Sequence, residues 1–460
     1  MEHNIILNTD SYKVSMWKQY PPGTEYVYSY VESRGGKFDR TVFFGLQMFL
    51  EEYLKKPITQ AMINEADEYW SAHGEPFNRQ GWQYILKTYN GYLPVCIRAV
   101  PEGTIVPVSN VLLTIVNTDP KCFWLTTWLE TALLRAIWYP TTVATNSYMC
   151  KQAIKDAMEK SSDNMDSLEY KLVDFGARGV SSFESAGIGG AAHLLNFHTT
   201  DTMTGVLFAK KYYAAGMAGF SIPAAEHSTI TSWGRENEVD AYRNMLKQFA
   251  KPGSTLAVVS DSYDIMNAVN NLWGGDLKEE IIKSGATLIV RPDSGDPLTV
   301  PVEVVDALAN KFGFTINSKG YRVLPDYIRV IQGDGIDVNS LPQILYNLLM
   351  AGYSADNLNF GMGGGMLQHV NRDTQKFAMK CSSIFIKGVW RDVFKDPVGD
   401  HSKSSKRGRL ILTHKDGVWA TEPLNGSTYH DQMQQVFDKG DVQRLWTWDE
   451  VRMRVNQGIA

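Results

Sequence analysis

Six times along this chain, an apolar run ends abruptly in a short loop of Gly, Asp, Ser and Arg. A strand buried on both faces reads as a continuous apolar run, because helices cover both sides of a parallel sheet. In such α/β folds the loop after each strand carries ligand-binding groups. The pattern therefore predicts a parallel sheet with a binding site at the carboxyl ends of its strands. The six segments are Leu168–Ser182, Gly219–Ser228, Leu256–Asp264, Leu288–Pro297, Tyr327–Gly335 and Leu358–Met366.

Three regions of the chain differ in their patterns. Residues 1–130 mix short alternating strands with helical stretches, which is typical of an α+β region. Residues 131–380 alternate apolar strands with amphipathic helices, which predicts βα units closing into a barrel. Residues 381–460 return to short strands and charged turns. The sequence therefore predicts an α/β barrel with a second α+β domain formed from both chain ends.

Composition excludes several classes of protein. The chain has 460 residues, 44% of them apolar, and a net charge of −5, so no basic surface for nucleic acid is expected. No apolar stretch reaches the roughly 20 residues of a membrane span, and no secretory signal is visible. The four cysteines are widely spaced, which is typical of a reduced, cytoplasmic protein.

The loop Arg291–Pro297 follows an apolar strand and carries Arg291 and Asp293. An arginine at a strand end can bind phosphate through two parallel hydrogen bonds, and an aspartate can hold Mg²⁺ or a sugar hydroxyl. A structural Arg–Asp pair in a tight turn explains the same residues equally well.

Glycines dominate two further loops. Asp334 lies between two glycines, and Gly361–Gly365 contains three successive glycines before a helix predicted from Met366 onward. Such a backbone exposes N–H groups at a positive helix end, which favours phosphate over a merely flexible turn. Arg372 is expected about two turns into that helix, where it either adds charge to the site or is solvated.

Other loops carry single candidates. Asp261 follows a strand directly, although helix capping by its serine neighbours would also explain this loop. A lone His227 is more often structural than catalytic, but its position among other polar strand ends reverses that preference. Phe175, near Arg178, is either a core residue or a ring that stacks on a flat heterocycle.

Taken in order, these motifs resemble the nicotinamide phosphoribosyltransferases, which belong to the type II phosphoribosyltransferases. The resemblance covers nearly the whole chain. It implies a homodimer with shared active sites, an irregular α/β barrel and an α+β domain made from both chain ends. The matching stretches are Thr9–Pro22, Asn117–Pro120, Trp138–Ser147, Leu168–Ser182, Pro223–Ile230, Val258–Ile265, Arg291–Gly295, Val330–Asp337, Phe360–Gln368 and Val393–Val398.

The resemblance also implies a reaction: 5-phosphoribosyl 1-diphosphate and nicotinamide give nicotinamide mononucleotide and diphosphate, in NAD salvage. The catalytic residues would be His227, Asp293, Arg291 and Asp261. The diphosphate contacts would be Arg178, His227 and Arg291. The contacts to ribose and Mg²⁺ would be Asp261, Asp293, Gly333 and Asp334. The 5-phosphate contacts would be Gly363, Gly364 and Arg372, with further phosphate contacts from Lys380, Lys395, Lys403 and Arg34, the last three from the partner subunit.

For the nicotinamide ring, the resemblance implies stacking between Phe175 and Tyr12 of the other subunit, with Asp201 accepting the amide N–H. It further implies that ATP is a facultative cofactor that phosphorylates His227. Four residues differ from larger or polar residues of the vertebrate members, which puts the pocket volume in question. They are Ala177, Ala257, Met362 and Ala378.

Three alternatives compete with this interpretation. The nearest is nicotinate phosphoribosyltransferase, but Asp201 would repel a carboxylate ligand. A phosphosugar isomerase or aldolase would need a Lys or Glu base at a strand end, whereas these ends carry mostly Arg, Asp, His and Gly. A dimeric protein that has lost catalysis is not expected to keep the whole charged set.

Overall fold

A computed structural model describes residues 4–396, 405–425, 427 and 429–458. The chain divides into two compact units. The end unit comprises Met1–Thr145, Lys211–Ala215 and Asn371–Ala460, and the barrel unit comprises Asn146–Lys210 and Gly216–Val370. The end unit is therefore built from both chain ends, as expected. The functional domain limits 1–130, 131–380 and 381–460 stay predictions.

The described residues up to 161 contain five strands and five α-helices. The strands are β1 Thr24–Ser33, β2 Arg40–Val42, β3 Val95–Ala99, β4 Ile105–Pro107 and β5 Val111–Asn117. The helices are α1 Leu46–Phe49, α2 Gln60–His73, α3 Arg79–Tyr89, α4 Leu125–Trp128 and α5 Glu130–Ser161.

The next stretch, up to residue 370, alternates strands with helices. The strands are β6 Leu172–Asp174, β7 Thr199–Thr200, β8 Thr255–Val259, β9 Thr287–Arg291, β10 Thr315–Ile316, β11 Arg322–Val323, β12 Ile328–Gln332 and β13 Leu358–Met362. The helices are α6 Phe183–Leu194, α7 Met203–Tyr213, α8 His227–Thr231, α9 Glu238–Phe249, α10 Ile265–Asn267, α11 Lys278–Ser284, α12 Val300–Phe312, α13 Ser340–Met350 and α14 Gly364–Leu367.

The C-terminal stretch returns to the end unit. Its elements are β14 Phe377–Ile386, β15 Val389–Asp392, β16 Leu410–Lys415, β17 Val418–Pro423, β18 Gln434–Asp438, β19 Asp441–Val442 and α15 Trp448–Gln457. No helix of the described residues has the length and apolarity that crossing a membrane requires.

The end unit is organised around a seven-stranded antiparallel sheet in the order β15-β14-β1-β5-β3-β18-β19. The N-terminal strands β1, β5 and β3 form its centre, and C-terminal strands flank them on both sides, since β1 pairs with β14 and β3 pairs with β18. Three indoles, Trp82, Trp124 and Trp128, pack edge to face in the core of this unit. These tryptophans lie far from the C-terminal strands in the sequence but belong to the same core.

The barrel unit contains a parallel sheet in the order β7-β6-β13-β12-β9-β8. The extended segment Gly219–Ala225 closes it, because Phe220 pairs with Thr199 of β7 and Ala224 pairs with Ala257 of β8. The six strands and this segment, together called the seven staves of the barrel, thus form a closed ring. Because all of them run in the same direction, their carboxyl ends form one rim, as the loop pattern predicts.

The inside of this ring is apolar. Ala257, Ile289 and Ile331 form a cluster against which Val173 and Phe175 pack. These side chains come from β8, β9, β12, β6 and the loop after β6. Their meeting in one cluster places them inside the ring, with Phe175 at its carboxyl rim.

Candidate active site

The seven strand ends of the barrel unit bring most of the predicted site residues to one rim. Every one of the seven strand ends contributes at least one of these residues. The residues in order are Phe175 and Arg178 after β6, Asp201 after β7, His227 after Gly219–Ala225, Asp261 after β8, Arg291 and Asp293 at β9, Gly333 and Asp334 after β12, and Gly363 and Gly364 after β13.

Arg291 and Asp293 form the ion pair that the sequence allowed. The Arg291 Nη2 and Nε atoms lie 2.7 and 3.1 Å from the same Asp293 oxygen, Oδ1. The backbone N–H of Asp293 in turn donates to Asp261 Oδ2 at 2.9 Å. The structural pair therefore exists, and it also fixes a guanidinium at the rim, so the two interpretations of this loop are compatible.

The side chain of Asp261 is buried, and only one of its two carboxylate oxygens accepts hydrogen bonds. Its side chain is 4% exposed, and Oδ1 has no hydrogen-bond partner among the described residues. Capping does not explain the loop, because Asp264 is the residue that caps α10, accepting from the Asn267 N–H at 2.9 Å. An unpaired buried carboxylate oxygen is costly, which indicates a ligand or ion as its missing partner.

His227 is the first residue of α8, and its two ring nitrogens face different groups. Nδ1 lies 3.2 Å from Ser262 Oγ. Nε2 lies 3.4 Å from Asp293 Oδ2 and 3.7 Å from Asp261 Oδ1. The side chain is 47% exposed, so Nε2 is open to a ligand between the two carboxylates. When Nδ1–H donates to Ser262, Nε2 keeps its lone pair.

Phe175 occupies a space that two glycines leave for it. A Cβ on Gly361 would lie 2.0 Å from Phe175 Cε2, and one on Gly333 would lie 3.1 Å from it. The Arg291 guanidinium carbon lies 5.7 Å from the ring centroid, at cation–π distance. The ring thus has a fixed position between the apolar barrel interior and the polar rim.

Asp201 is exposed at the rim after β7. Its backbone N–H donates to the Asp174 carbonyl at 3.0 Å, and its Oδ1 accepts from Ser221 Oγ at 2.6 Å. Ser221 and Ser262 are site residues that the sequence did not single out. Both lie in the polar loops quoted above, but serine hydroxyls are too common in loops to distinguish themselves.

The glycine loop after β13 differs from expectation in one respect. Helix α14 has only four residues and ends at Leu367, so Arg372 does not lie two turns into it. Asn371 instead caps a separate turn that begins at Arg372, through hydrogen bonds to the Asp373 and Thr374 N–H groups. Gly364 still opens α14, where the first N–H groups have no acceptor within the helix.

Four predicted phosphate-binding cations lie in the end unit. Lys380 is half-buried, and burial lowers its pKa. The nearby Glu130 raises that pKa, whereas the positive charges of Arg34, Lys395 and Arg372 lower it further. The end unit therefore gathers Arg34, Arg372, Lys380 and Lys395 in one electrostatic neighbourhood. Concentrated positive charge of this kind attracts anions.

One further predicted contact, Tyr12, lies in the end unit. Tyr12 is 58% exposed, with the Lys13 ammonium 5.0 Å from its ring centroid. Lys13 is itself buried and paired with Glu130 at 2.6 Å, which fixes the backbone beside Tyr12. Lys403 lies outside the described residues.

The rim fits Mg²⁺ that arrives with a substrate. Among the described residues, no group of three His, Cys, Asp or Glu side chains forms a metal site. Mg²⁺, however, is commonly held by one or two carboxylates together with substrate phosphates and water. The unpaired Asp261 Oδ1 and the adjacent Asp293 carboxylate supply such a pair.

Two family models match the chain. Residues 170–441 match the nicotinate phosphoribosyltransferase (NAPRTase) family. Residues 4–97 match the N-terminal domain of nicotinamide phosphoribosyltransferase.

Curated relatives match over nearly their full length. A nicotinamide phosphoribosyltransferase from Xanthomonas campestris pv. campestris is 54% identical, covering 98% of this chain and 97% of the relative. One from Acinetobacter baylyi is 31% identical, covering 99% and 98%. A third, from Mycoplasma pneumoniae, is 30% identical, covering 88% and 95%.

Solved structures share the fold. A nicotinate-nucleotide pyrophosphorylase from Pyrococcus furiosus superposes with a TM-score of 0.64 at 16% identity, covering 99% of this chain and 96% of the other. The human nicotinic acid phosphoribosyltransferase superposes with a TM-score of 0.57 at 14% identity, covering 98% and 93%.

Proposed function

This chain belongs to the nicotinate phosphoribosyltransferase family, and we propose that it transfers the 5-phosphoribosyl group of 5-phosphoribosyl 1-diphosphate to nicotinamide. The products are nicotinamide mononucleotide and diphosphate. One observation carries the proposal: a single barrel rim joins a ring-stacking Phe175, an acidic Asp201 and the linked set of Arg291, Asp293 and Asp261. The first two suit a flat pyridine with an amide, and the last three suit an anionic sugar phosphate.

Nicotinamide is favoured over nicotinate by the charge of Asp201. A carboxylate accepts a hydrogen bond from the neutral amide, whereas it repels the carboxylate of nicotinate. The Ser221 hydroxyl occupies one Asp201 oxygen, at 2.6 Å, and leaves the other for the ligand. The match to a nicotinamide-type N-terminal domain and the names of the relatives support the same choice.

Catalysis then consists mainly of positioning and charge stabilisation. As the bond from the ribose anomeric carbon to diphosphate breaks, negative charge grows on the leaving group. Arg291, held by Asp293 at 2.7 Å, and the exposed Arg178 offset that charge. His227 donates Nε2–H to it in the tautomer whose Nδ1 accepts from Ser262 Oγ. Asp334, on its glycine-flanked loop, accepts from ribose hydroxyls, while Gly363 and Gly364 donate backbone N–H groups to the 5-phosphate.

Mg²⁺ is the cofactor that this residue set fits. Asp261 and Asp293 would hold it together with oxygens of the donor, and the ion would neutralise diphosphate charge. These two carboxylates otherwise face the same region as the anionic donor, and their repulsion would weaken its binding.

ATP acts on the same site as a facultative cofactor. His227 would accept the γ-phosphoryl group of ATP on Nε2, with ADP as the leaving group. Ser262 Oγ, 3.2 Å from Nδ1, can accept Nδ1–H, and in that tautomer the Nε2 lone pair is free. Arg178 and Arg291 stabilise the transferred charge.

The active site is completed in a homodimer. Tyr12 from one subunit stacks on the nicotinamide ring above Phe175 of the other, and Arg34, Lys395 and Lys403 reach the donor phosphates in the same way. The exposed Tyr12 ring on an anchored segment supports this arrangement. A cytoplasmic location is proposed from the reduced cysteines.

The test is a product assay on the purified full chain. Mixed with nicotinamide, donor and Mg²⁺, it should release nicotinamide mononucleotide and diphosphate in equal amounts. Arg291→Ala should lower kcat by about 100-fold or more, as loss of a charge-stabilising group does. Arg243→Ala is the matched control, since that partly exposed arginine pairs with surface carboxylates on the barrel helices. An inactive wild type, or an active Arg291→Ala, would refute the proposal.

A further inference from the structure

Asp174 is a fully buried carboxyl group at the end of β6 that no step above uses. Its side chain is completely inaccessible to solvent, although the two residues proposed to contact nicotinamide lie beside it. Phe175 follows it in the chain, and Asp201 follows the neighbouring strand β7. Acidic side chains are rarely buried unless they form hydrogen bonds.

Two hydrogen bonds connect Asp174 to these neighbours. Asp174 Oδ1 accepts from the backbone N–H of Gly176 at 2.7 Å, which closes a turn around Phe175. The Asp174 carbonyl accepts from the backbone N–H of Asp201 at 3.0 Å. One residue therefore fixes both the loop that carries the stacking ring and the loop that carries the amide acceptor.

The backbone of Phe175 is held from the opposite side as well. Its N–H donates to the Met362 carbonyl at 2.9 Å, and its ring fits only because Gly361 has no Cβ. The turn closed by Asp174 is thus a further restraint, which acts on the loop that follows the ring. Without it, the loop after Phe175 gains freedom while the strand register stays fixed by β13.

The surroundings of Asp174 keep it in place. Burial raises the pKa of its carboxyl group, while the nearby His193 lowers it. His193 is also fully buried; its Nε2 donates to the Thr199 carbonyl at 3.0 Å and its Nδ1 lies 3.0 Å from Ser147 Oγ. Among the described residues, Asp174 Oδ2 has no hydrogen-bond partner, so the bond from the Gly176 N–H to Oδ1 is the contact that orients the carboxyl group.

We propose that Asp174 is a positioning residue for nicotinamide, setting the spacing between the Phe175 ring and the Asp201 carboxylate through its hydrogen bond to Gly176. The inference rests on the proposed function. It differs from a general structural role in one respect: of the proposed donor contacts, Asp261, Arg291 and Asp293 lie on other staves and Arg178 lies on the loop after β6, so donor binding should change less than nicotinamide binding.

The test compares KM values for the two substrates. Because small misplacements of binding groups cost up to about 100-fold, Asp174→Ala is expected to raise the KM for nicotinamide about 10-fold and that for the donor, through Arg178, by no more than about threefold. Asp174→Asn keeps an acceptor oxygen for the Gly176 N–H. It should therefore restore the nicotinamide KM to within about threefold of wild type.

Gln332 provides the matched control. It is also buried at a strand end of the barrel, and its Nε2 donates to the Asp334 carbonyl at 2.9 Å in a donor-binding loop. Gln332→Ala should raise the KM for the donor and spare that for nicotinamide. The opposite responses of the two variants would separate positioning from a shared loss of stability.

The outcomes are distinguishable. A wild type without nicotinamide transfer overturns the proposed function and, with it, this inference. An active wild type in which Asp174→Ala shifts both KM values equally overturns the inference alone. If Asp174→Ala fails to fold, Asp174→Asn decides: a nicotinamide KM near wild type supports the hydrogen-bonding role, and a 10-fold increase at an unchanged melting temperature contradicts it.

Discussion

At the residue scale, the surroundings of the His227 side chain are the most informative about the proposed reaction. One ring nitrogen faces a hydroxyl, and the other faces two carboxylates at 3.4 and 3.7 Å. Those two distances exceed those of hydrogen bonds, so the Nε2 position is free for a ligand. This environment suits both hydrogen bonding to diphosphate and attack on a phosphoryl group.

The two roles of His227 can be separated by mutation. ATP with Mg²⁺ is expected to lower the apparent KM for the donor, and His227→Ala should abolish both that effect and ATP hydrolysis. A slow basal transfer should persist, because Arg178 and Arg291 still offset leaving-group charge. Steady-state kinetics with and without ATP provide the measurement. Full ATP stimulation of the variant would place the phosphoryl acceptor elsewhere.

At the element scale, strand β6 begins beside a buried lysine. Lys171 Nζ donates to the carbonyls of Ala355, Asp356 and Leu358 at 3.0–3.3 Å. Burial lowers the pKa of Lys171 to about 7, well below its ordinary value. This lysine satisfies the backbone that leads into β13, but burial makes its charged form costly.

The pH dependence of stability follows from that shift. Above about pH 7 the folded state has released a proton from Lys171 that the unfolded chain keeps until about pH 10.5. The unfolded state binds more protons in this interval, so the free energy of unfolding should rise with pH there. Denaturant titrations at pH 7, 8 and 9 test this, with Lys171→Met as comparison. A slope that is the same in Lys171→Met would contradict the assignment.

Strands and helices with a strong repeating pattern could be predicted from the sequence. The alternating pattern of Thr24–Ser33 predicts a strand, which is β1 to the residue. The amphipathic pattern of Val239–Phe249 predicts a helix, which lies within α9. Arg372 was placed wrongly because Asn371 starts a new turn, a capping interaction that competes with helix propagation. The closing segment Gly219–Ala225 has only isolated pairings, so its role as a stave depends on tertiary contacts.

The residues of the candidate site also divide into those that the sequence predicts and those that only the structure reveals. Charged residues such as Asp261 and Arg291 could be predicted because the carboxyl ends of parallel strands meet at one rim. Ser221, Ser262 and Asp174 could not, since their importance lies in hydrogen bonds between loops distant in sequence. A sequence pattern indicates which loops meet, but not which hydroxyl meets which nitrogen.

At the scale of the whole molecule, the proposed site needs two subunits. Tyr12→Ala and Arg291→Ala homodimers should each have little activity. After the two proteins are mixed and exchange subunits, each heterodimer has one site with both residues intact and one with neither. Part of the activity should therefore return. Subunit exchange is confirmed separately with differently tagged chains, and no recovery after it would mean that each site is built from one chain.

The central claim is that this enzyme uses nicotinamide because Asp201 stands at the barrel rim, and comparing kcat/KM for nicotinamide and nicotinate tests it most directly. The wild type should prefer nicotinamide strongly. Asp201→Asn should shift the ratio of the two kcat/KM values toward nicotinate by about 10-fold or more, since a like charge is replaced by a neutral amide that can donate a hydrogen bond. A wild type that prefers nicotinate, or a ratio unchanged in Asp201→Asn, would contradict the account.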